Sequence, residues 1–407
     1  MCTAGERCWY HRLPHNIKLS LLYTLLETAS ANIRVGDIFS AYIHLRTGSN
    51  AVVGYIQGVN GILQMVAALP AGVLADRFRR DRMLCIALGI GAAGGACLAC
   101  ALVYQLPIWS FYIAMGLLGS YKGFRDPPLE SLYADSIVTG KRTLYTVKHV
   151  VMQLASCVGP LLSVVLFLHL GNTWNIADCR LVLLAGLVAM LIPLASICFF
   201  DDDKGLGHHS EAVISPLSCC CGPANPHLMV PLLLTFSDYI GALAAGMTIK
   251  FFSLFFIQKC SLGPVQVSLL SVVGPVGISL LSLLCQKVSK RLGRVQTSLA
   301  TRLVDIGLLM TMAYLPTGVG RARNVLLAAH LTRMAFANCT RPLLRSVLMD
   351  NTPKRHRAKV NALDSVRAFS WSGSAAAGGA LIERYGFQTT FLITAFMKCT
   401  AADSDMD

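Results

Sequence analysis

Long apolar runs follow one another along nearly the whole 407-residue chain. Each contains about 20 residues, the length of α-helix that crosses the hydrocarbon core of a bilayer. Because that core offers no water to unpaired backbone groups, such a chain is expected to fold as spanning helices. The predicted spans lie at about residues 18–45, 51–75, 83–104, 107–135, 143–170, 179–200, 228–257, 264–286, 296–316, 323–350, 358–384 and onward from 387.

The spans divide the chain into two halves. Residues 1–17 form a polar N-terminus, residues 18–200 a first six-helix bundle, residues 201–226 a polar linker and residues 227–407 a second bundle. The last apolar run begins at Phe387, contains Lys398 and ends near Ala402. This run is short for a crossing, so we expect an incomplete last helix and a truncated or mispredicted C-terminus.

The composition agrees with an all-α polytopic membrane protein. Hydrophobic residues make up 54% of the chain and charged residues 14%, against about a quarter charged in soluble domains. This excludes a soluble enzyme, a disordered chain and a disulfide scaffold. The 15 cysteines are scattered, mostly within apolar runs, and their spacing indicates no metal site. No phosphate-binding glycine loop, catalytic triad or cofactor motif is present, so we expect a non-enzyme without cofactors, driven by gradients.

Most of the net charge of +14 is attributed to membrane topology. Eighteen loop cations fall on one side of the predicted membrane and six on the other. Because cytoplasmic loops carry the excess of Lys and Arg, the N-terminus and linker are predicted to be cytoplasmic. The membrane is a plasma or organelle membrane. No basic surface suited to a phosphate backbone is present, so nucleic acid is not an expected partner.

The two halves repeat each other. The segment from Glu130 through Asp135 to Arg142 aligns, without a gap, with the segment from Arg345 through Asp350 to Arg357. The basic loop after span 2 recurs after span 8 at nearly the same offset in residue number. Six spans separate the copies, so the repeat is parallel, as in transporters built from two bundles.

The loop after span 2 also carries a motif. It reads Gly72-Val-Leu-Ala-Asp76-Arg77-Phe-Arg79-Arg80 and resembles the loop 2–3 signature of the major facilitator superfamily, Gly-x-Leu-Ala-Asp-Arg-x-Gly-Arg. Arg79 stands where that signature has Gly; the second copy keeps Gly293 but has Lys290 in place of the Asp. The resemblance implies two six-helix bundles that rock around a central cavity, lined by spans 1, 4, 7 and 10.

Charged residues inside the spans are the candidate site. A charge at mid-bilayer costs about 2.5–3.5 kcal/mol on the insertion scale, so these groups should face water or a partner. In span 1, steps of seven and three residues place Glu27, Arg34 and Asp37 on one helical face. They form either a carboxylate–guanidinium set for a substrate or proton, or an internal ion pair. The in-span cations are Arg34, Lys122, Arg125, Lys148, Lys250, Arg302, Arg333, Arg341, Arg345, Arg367 and Lys398.

Span 4 places a second set of charges beside a proline pair. Lys122, Asp126 and Glu130 share a face, next to Arg125. Pro127 and Pro128 are expected to kink this helix, and the freed carbonyl groups need the partners that a hydrated cavity supplies. The alternative is a structural kink with a salt-bridge ladder.

Spans 10 and 7 supply the counterparts in the second half. Span 10 contains Asn338, Arg341 and Arg345; at the repeat offset the two arginines match Asp126 and Glu130 with opposite sign. Two interpretations fit this pattern. A zwitterion or organic anion could bind between an acidic and a basic wall, or the opposite charges could form a direct salt bridge that only gates. Span 7 contains Asp238 and Lys250, followed by a phenylalanine cluster for which helix packing or lipid contact is favoured over a subsite. The candidate proton carriers are Glu27, Asp37, Asp126, Glu130 and Asp238.

Charged loops suggest a cytoplasmic gate. Ion pairs between the two copies would hold the inner helix ends together when the cavity faces outward; the alternative is that the cations serve topology alone. The gate residues are Asp76, Arg77, Arg80, Asp135, Arg142, Lys290, Arg291, Arg294, Asp350 and Arg357. In the linker, Cys219, Cys220 and Cys221 are candidates for palmitoylation.

The sequence thus predicts a secondary transporter for a small polar or charged organic solute, coupled to protons and monomeric in the lipid bilayer. The alternatives are a passive facilitator, and a non-transporting receptor or scaffold with the same fold.

Overall fold

The structure, a computed structural model, describes residues 13–136, 143–204, 226–315, 320–341, 343–344 and 357–403. These residues form an all-α protein with thirteen α-helices and one short 3₁₀ helix at Asp202–Lys204. The first half contains α1 (His15–Arg34), α2 (Asp37–Thr47), α3 (Asn50–Arg77), α4 (Arg80–Val103), α5 (Trp109–Asp135), α6 (Thr143–Leu170) and α7 (Ile176–Ile197). The second half contains α8 (Pro226–Ile249), α9 (Phe252–Cys260), α10 (Pro264–Leu292), α11 (Arg294–Tyr314), α12 (Arg321–Asn338) and α13 (Arg357–Asp403).

The apolar runs form helices long enough to cross a bilayer. In the described residues, six segments satisfy both the length and the hydropathy expected of a span. They are Asn50–Ala75, Arg80–Val103, Val147–Leu170, Ile176–Ile197, Phe236–Cys260 and Pro264–Leu292. Large apolar side chains such as Leu69, Val188 and Leu280 are more than 60% exposed on the helix surfaces, as expected for residues that contact lipid tails. The chain is therefore an integral, multi-pass membrane protein.

Helices α1–α7 pack into one bundle and α8–α13 into the other. The core of the first bundle includes Phe39 and Tyr42 of α2 packed against Phe111 of α5. In the second bundle, the phenylalanine cluster at the start of α9 lies in the core, where Phe252 stacks on Phe391 with ring centroids 5.0 Å apart. Helix packing therefore explains this cluster.

Several helices differ from the predicted spans. Span 1 is two helices, α1 and α2, and span 7 is also two, α8 and α9. Span 4 ends as predicted: α5 contains the proline pair Pro127–Pro128 and continues to Asp135. Spans 11 and 12 form α13, which bends at Gly386, where φ is +80°. The last helix then continues through Lys398 to Asp403.

The two bundles meet closely at one end of the molecule. The basic end of the molecule carries the loop Phe78–Arg79, the segment Asp201–Lys204 and the loop at Gly293. The bundles meet at the other end, which we call the opposite end. At the opposite end, α3 packs against α13 so tightly that a Cβ on Gly54 would lie 2.5 Å from the carbonyl oxygen of Ala375 and 3.0 Å from the Cα of Gly379. The opposite end is closed in this conformation.

Candidate functional site

Two interrupted helices mark the centre of the molecule. The break at Val35–Gly36 separates α1 from α2, and the break at Lys250–Phe251 separates α8 from α9. The two breaks occupy corresponding positions of the sequence repeat. A Cβ on Gly36 would lie 2.1 Å from the carbonyl oxygen of Asn32, so the first break requires glycine. Interrupted helices place free helix ends within the membrane, and where they occupy corresponding positions of two repeats they point to a candidate binding site.

Glu27 and two arginines form the charge cluster next to the first break. The Arg34 Nη2 atom donates to Glu27 Oε1 at 2.7 Å, and Arg125 Nη1 donates to the same oxygen at 3.0 Å. The three side chains are 8%, 1% and 12% exposed, in the order Glu27, Arg34, Arg125. The internal pair that the sequence suggested is therefore present, and Arg125 extends it from α1 to α5.

Asp37 does not share that cluster. It was expected on the same helical face as Glu27 and Arg34, but it lies after the break, on α2, and that prediction is wrong. The Ser271 hydroxyl of α10 donates to Asp37 Oδ2 at 2.6 Å. Asp37 thus joins the two bundles.

Two tyrosines complete the Glu27 cluster. The hydroxyl groups of Tyr23 and Tyr121 lie 2.6 Å apart, and Arg125 Nη1 donates to Tyr23 at 3.1 Å. The Arg125 guanidinium also lies over the Tyr121 ring, 5.0 Å from its centroid. Sequence reasoning missed both tyrosines, although each lies four residues before a charged residue of the cluster, and that spacing places the two members of each pair on one helical face.

Lys122 lies beside polar side chains of α3. Its Nζ atom donates to Asn60 Oδ1 at 3.4 Å, while Asn60 Nδ2 donates to the Met115 carbonyl at 2.7 Å. Gln57, three residues before Asn60, is 3% exposed, and its Nε2 atom has no hydrogen-bond partner among the described residues. Asn60 and Gln57 were also missed, since uncharged amides within an apolar run give a weak signal.

Asp126 and Glu130 pair with cations of their own bundle. Arg125 Nη2 lies 2.6 Å from Asp126 Oδ1, and Lys148 Nζ lies 2.5 Å from Glu130 Oε1. Both carboxylate side chains are partly exposed, at 44% and 58%. The predicted basic wall across from them is described only in part: Arg341 is exposed, and Arg345 lies outside the described residues.

The remaining candidates of the second bundle lie within it. Asn338 donates to the Met334 carbonyl of its own helix at 2.9 Å. Asp238 accepts from Arg302 Nη2 at 2.7 Å, and the same guanidinium bonds to the Ser237 hydroxyl at 2.8 Å.

The sequence predicted another charge cluster only in part, because it did not indicate Asp305. Asp305 of α11 accepts from Arg333 Nη1 at 3.3 Å and from Lys398 Nζ at 2.5 Å. Arg333 also lies 4.3 Å from the centroid of the Phe252 ring. The two cations were recognised as in-span charges, but no sequence pattern indicated that a carboxylate on α11 would meet Lys398 on α13.

The basic end shows an interaction that the predicted gate did not include. Arg79 Nη2 lies 2.9 Å from Asp203, and the Arg80 backbone N–H donates to Asp202 at 3.1 Å. The aspartates that follow span 6 therefore contact the basic loop between α3 and α4. Lys204 donates to Asp201 and holds the pKa of that carboxyl below its ordinary value.

The other gate and linker candidates are placed only in part. Lys290 and Arg291 lie in the last turn of α10, and Arg294 begins α11. The side chains of Asp76, Arg77, Asp135 and Arg357 are not described, although their helices are. Arg142, Asp350 and the linker cysteines Cys219, Cys220 and Cys221 lie outside the described residues. In the described part of the chain, no group of three His, Cys, Asp or Glu side chains is arranged to hold a metal ion.

The protein family that matches the sequence has the same architecture. The family model for the Major Facilitator Superfamily matches residues 21–376, so the chain belongs to that superfamily of membrane transporters and is not an enzyme. None of the curated proteins compared with the chain matches it.

Solved transporter structures share the fold. A variant of the nucleoside transporter NupG aligns with a TM-score of 0.70 at 14% identity, over 96% of this chain and 98% of the other. A bacterial homologue of the iron transporter ferroportin, in an inward-facing state, gives a TM-score of 0.70 at 16% identity over the same shares. A POT family transporter in complex with 5-aminolevulinic acid gives 0.68 at 14% identity, over 97% and 95%. At these identities the likeness shows the fold alone.

Proposed function

We propose that this protein is a secondary active transporter that moves a small polar or charged organic solute by alternating access. The observation that carries the proposal is the buried Glu27–Arg34–Arg125 cluster beside the interrupted helices. Buried charges of this kind are costly in a membrane and mark substrate or ion pathways. A receptor or scaffold with the same fold has no comparable need for a buried charge cluster beside an interrupted helix.

The closed opposite end supports alternating access. There the bundles touch through α3 and α13, while the loop Phe78–Arg79 and the segment Asp201–Lys204 lie together at the other end. The excess of loop cations supports a cytoplasmic basic end, in a plasma or organelle membrane. Because the opposite end is closed, we infer that this conformation is inward-facing. The outward-facing conformation would close the basic end through the gate residues, including Arg80, Lys290 and Arg294, while lipidated Cys219–Cys221 would hold the linker at the membrane.

Proton coupling is assigned to Asp37. Among the candidate carboxylates, Glu27 is tied to two arginines of its own bundle, whereas Asp37 bonds to Ser271 of the other bundle. Adding a proton to Asp37 changes an interaction between the bundles and can therefore bias the two-state equilibrium between inward- and outward-facing conformations.

The proposal is tested by uptake into proteoliposomes. The purified protein, a monomer in this proposal, is reconstituted and offered neutral, cationic and anionic solutes with and without a pH gradient, against protein-free vesicles. Uptake of one solute class that rises with an inward proton gradient supports proton-coupled transport. Uptake that is insensitive to the gradient supports the passive alternative, and uptake of nothing supports a receptor.

Asp37→Asn separates coupling from translocation. If Asp37 carries the proton, the variant loses accumulation driven by the gradient but keeps exchange between internal and external solute. Asp178→Asn is the matched control, since Asp178 lies in the first turn of α7 in the first bundle, away from the breaks. A gradient response that survives in Asp37→Asn would move the coupling site elsewhere.

A further inference from the structure

Two buried cysteine thiols of the second bundle contact each other. Cys285 lies on α10, and Cys339 directly follows the last residue of α12. The Cys285 thiol donates to the Cys339 sulfur at 3.5 Å, and the Cys339 thiol donates to the Phe336 carbonyl at 3.4 Å. The two cysteines are 5% and 1% exposed. Their sulfur atoms would have to approach by only about 1.5 Å to reach the length of a disulfide bond.

The helices that carry the two cysteines run close together. A Cβ on Gly277 of α10 would lie 3.8 Å from the Cβ atom of Ala335 on α12. Gly277 lies two turns before Cys285, and Ala335 lies one turn before Cys339. Disulfides join residues whose Cβ atoms are about 3.5–4.5 Å apart. The separation of α10 and α12 therefore suits a covalent bridge between them.

The contact lies at the end of α12. This helix ends at Asn338, and Pro342, which follows in the sequence, has no backbone N–H with which to continue it. Beside Cys339, the hydroxyl oxygen of Thr340 lies 3.4 Å from that of Thr301 on α11. One thiol contact and one hydroxyl contact thus link the end of α12 to its neighbours, and a disulfide would make the first of these links covalent.

We propose that Cys285 and Cys339 are a site of reversible oxidation, at which a hydroperoxide closes a disulfide between α10 and α12. The bridge fixes the segment that carries the candidate residues Asn338 and Arg341. It lies about two turns from the basic end, where α10 ends, and alternating access requires movement at that end. Oxidation therefore arrests the transport cycle. This consequence rests on the proposed transport function, whereas formation of the disulfide does not.

The reaction balances with hydrogen peroxide as the only oxidant. One sulfur attacks the peroxide, so that an S–O bond forms, the O–O bond breaks, and a sulfenic acid and one water molecule result. The second sulfur then displaces the hydroxyl group from the sulfenic acid, which leaves as water. Two thiols and one peroxide give one disulfide and two water molecules, and two electrons pass from sulfur to oxygen. Because both thiols are buried, we expect a small uncharged oxidant to reach them and a bulky charged maleimide to fail.

Peroxide treatment of the purified protein in nanodiscs tests the site. The treated protein is denatured in N-ethylmaleimide, digested and examined by mass spectrometry. The expected product is a pair of peptides joined through Cys285 and Cys339, two hydrogen masses lighter than the free peptides and separated by dithiothreitol. Alkylation of both cysteines after treatment, or their separate oxidation to sulfinic acids, would overturn the proposal. A yield no higher than in protein denatured before oxidation would overturn it as well.

Substitutions locate the bridge. Cys285→Ala and Cys339→Ala are each expected to abolish the joined peptides. Cys260→Ala is the matched control, because Cys260 belongs to the same bundle, is 1% exposed and is a free cysteine. This variant should form the joined peptides in the same yield as the unmodified protein. Loss of the joined peptides in Cys260→Ala as well would mean that the bridge does not depend on this contact.

Uptake separates this inference from the proposed function. Peroxide is expected to lower solute uptake several-fold in the unmodified protein and in Cys260→Ala, dithiothreitol to restore it, and Cys285→Ala to be insensitive. Joined peptides with unchanged uptake would leave the disulfide and the transport function standing and overturn the arrest of the cycle, as would an equal loss of uptake in Cys285→Ala. Joined peptides without uptake of any solute would keep the oxidation site and remove the transport function.

Discussion

The Glu383 carboxylate accepts a hydrogen bond from the backbone N–H of Asn50 at 2.8 Å, so a side chain of the second bundle caps the first turn of α3 in the first. A second N–H, from Ala51, donates to the same Oε2 atom at 3.3 Å. The relationship is reciprocal, because Asn172 of the first bundle accepts from the backbone N–H of Val265 at the start of α10, at 3.1 Å. Asn50 and Val265 occupy corresponding positions of the internal repeat.

These crossed caps hold the opposite end closed. The first N–H groups of a helix have no partner within it and carry partial positive charge. In this conformation, each bundle supplies the acceptor that the other bundle lacks. Gln258 adds a further link, since its Nε2 atom lies 3.0 Å from both His44 Nε2 and Asn50 Oδ1. When the opposite end opens, these N–H groups exchange a protein acceptor for water.

Replacing Glu383 should therefore loosen the opposite end. In Glu383→Ala, the amides of Asn50 and Ala51 lose their acceptor, and we expect their hydrogen exchange to rise several-fold, as measured by mass spectrometry in nanodiscs. Glu383→Gln retains an oxygen acceptor and should give a smaller rise, because a neutral hydrogen bond is about half as strong as a charge-assisted one. Arg384→Gln is the matched control. Equal exchange in all four proteins would contradict the capping role.

Adding a methyl group at Gly54 should disfavour this conformation. The Cβ of Gly54→Ala would lie 2.5 Å from the Ala375 carbonyl oxygen, so α3 and α13 must separate. We expect faster hydrogen exchange at residues 48–54 and a shift towards the conformation open at the opposite end. Gly72→Ala, on the same helix, meets no atom within 4 Å and should behave as the unmodified protein. A shift of the same size in Gly72→Ala would mean that the higher helix propensity of alanine, and not the contact with Ala375, causes the change.

Removing the shared carboxylate of the Glu27 cluster should destabilise the first bundle. Glu27→Gln leaves Arg34 and Arg125 buried without their common partner, and breaking a buried pair costs about 3–5 kcal/mol. We expect a clear fall in the thermal unfolding temperature. The double variant Glu27→Gln/Arg34→Met restores the net charge of the cluster. It should therefore recover part of the lost unfolding temperature.

Glu130→Gln provides the control for this experiment. Its carboxylate is 58% exposed and pairs with Lys148, and exposed pairs contribute about 0–1 kcal/mol. The unfolding temperature of Glu130→Gln should therefore stay close to that of the unmodified protein. A fall equal to that of Glu27→Gln would mean that burial does not set the cost.

The Asp305 cluster should depend on charge balance in the same way. Asp305→Asn leaves the Arg333 and Lys398 cations without a carboxylate and should lower the unfolding temperature. Lys398→Met alone keeps the Asp305–Arg333 pair and should be well tolerated. The double variant Asp305→Asn/Lys398→Met has the original net charge at this position and should be more stable than Asp305→Asn; failure of that rescue would exclude charge balance as the cause.

The linker contacts at the basic end should be sensitive to salt. Arg79 and Asp203 are 44% and 76% exposed, and ion pairs between exposed side chains weaken as the salt concentration rises. We expect proteolysis after Lys204 to accelerate as salt is raised, and to be fast already at low salt in Asp202→Asn/Asp203→Asn. The lowered pKa of Asp201 means that its contact with Lys204 persists at neutral pH and is lost as pH falls through that pKa, so acid should also accelerate cleavage. Cleavage that is independent of salt would exclude docking by these ion pairs.

The amino-acid sequence determined much of this protein by itself. Runs of about 20 apolar residues require spanning helices, because a bilayer leaves no other way to satisfy the backbone. The nearly constant offset of the internal repeat and the loop at Asp76–Arg80 were sufficient to predict the superfamily. Burying a charge in a membrane is costly, so Glu27, Arg34 and Arg125 could be selected as candidates from their positions within apolar runs.

Only the tertiary structure decided which charges meet. Glu27 and Arg34 are close in sequence, but Asp305 and Lys398 are separated by 93 residues, and no local pattern pairs them. The break at Gly36 separated Asp37 from the face that helical periodicity predicted and directed it to Ser271 instead. Helical periodicity fixes the direction of a side chain only while the helix continues. Contacts between the bundles depend on how two complete sets of helices pack, and a linear sequence does not state that geometry.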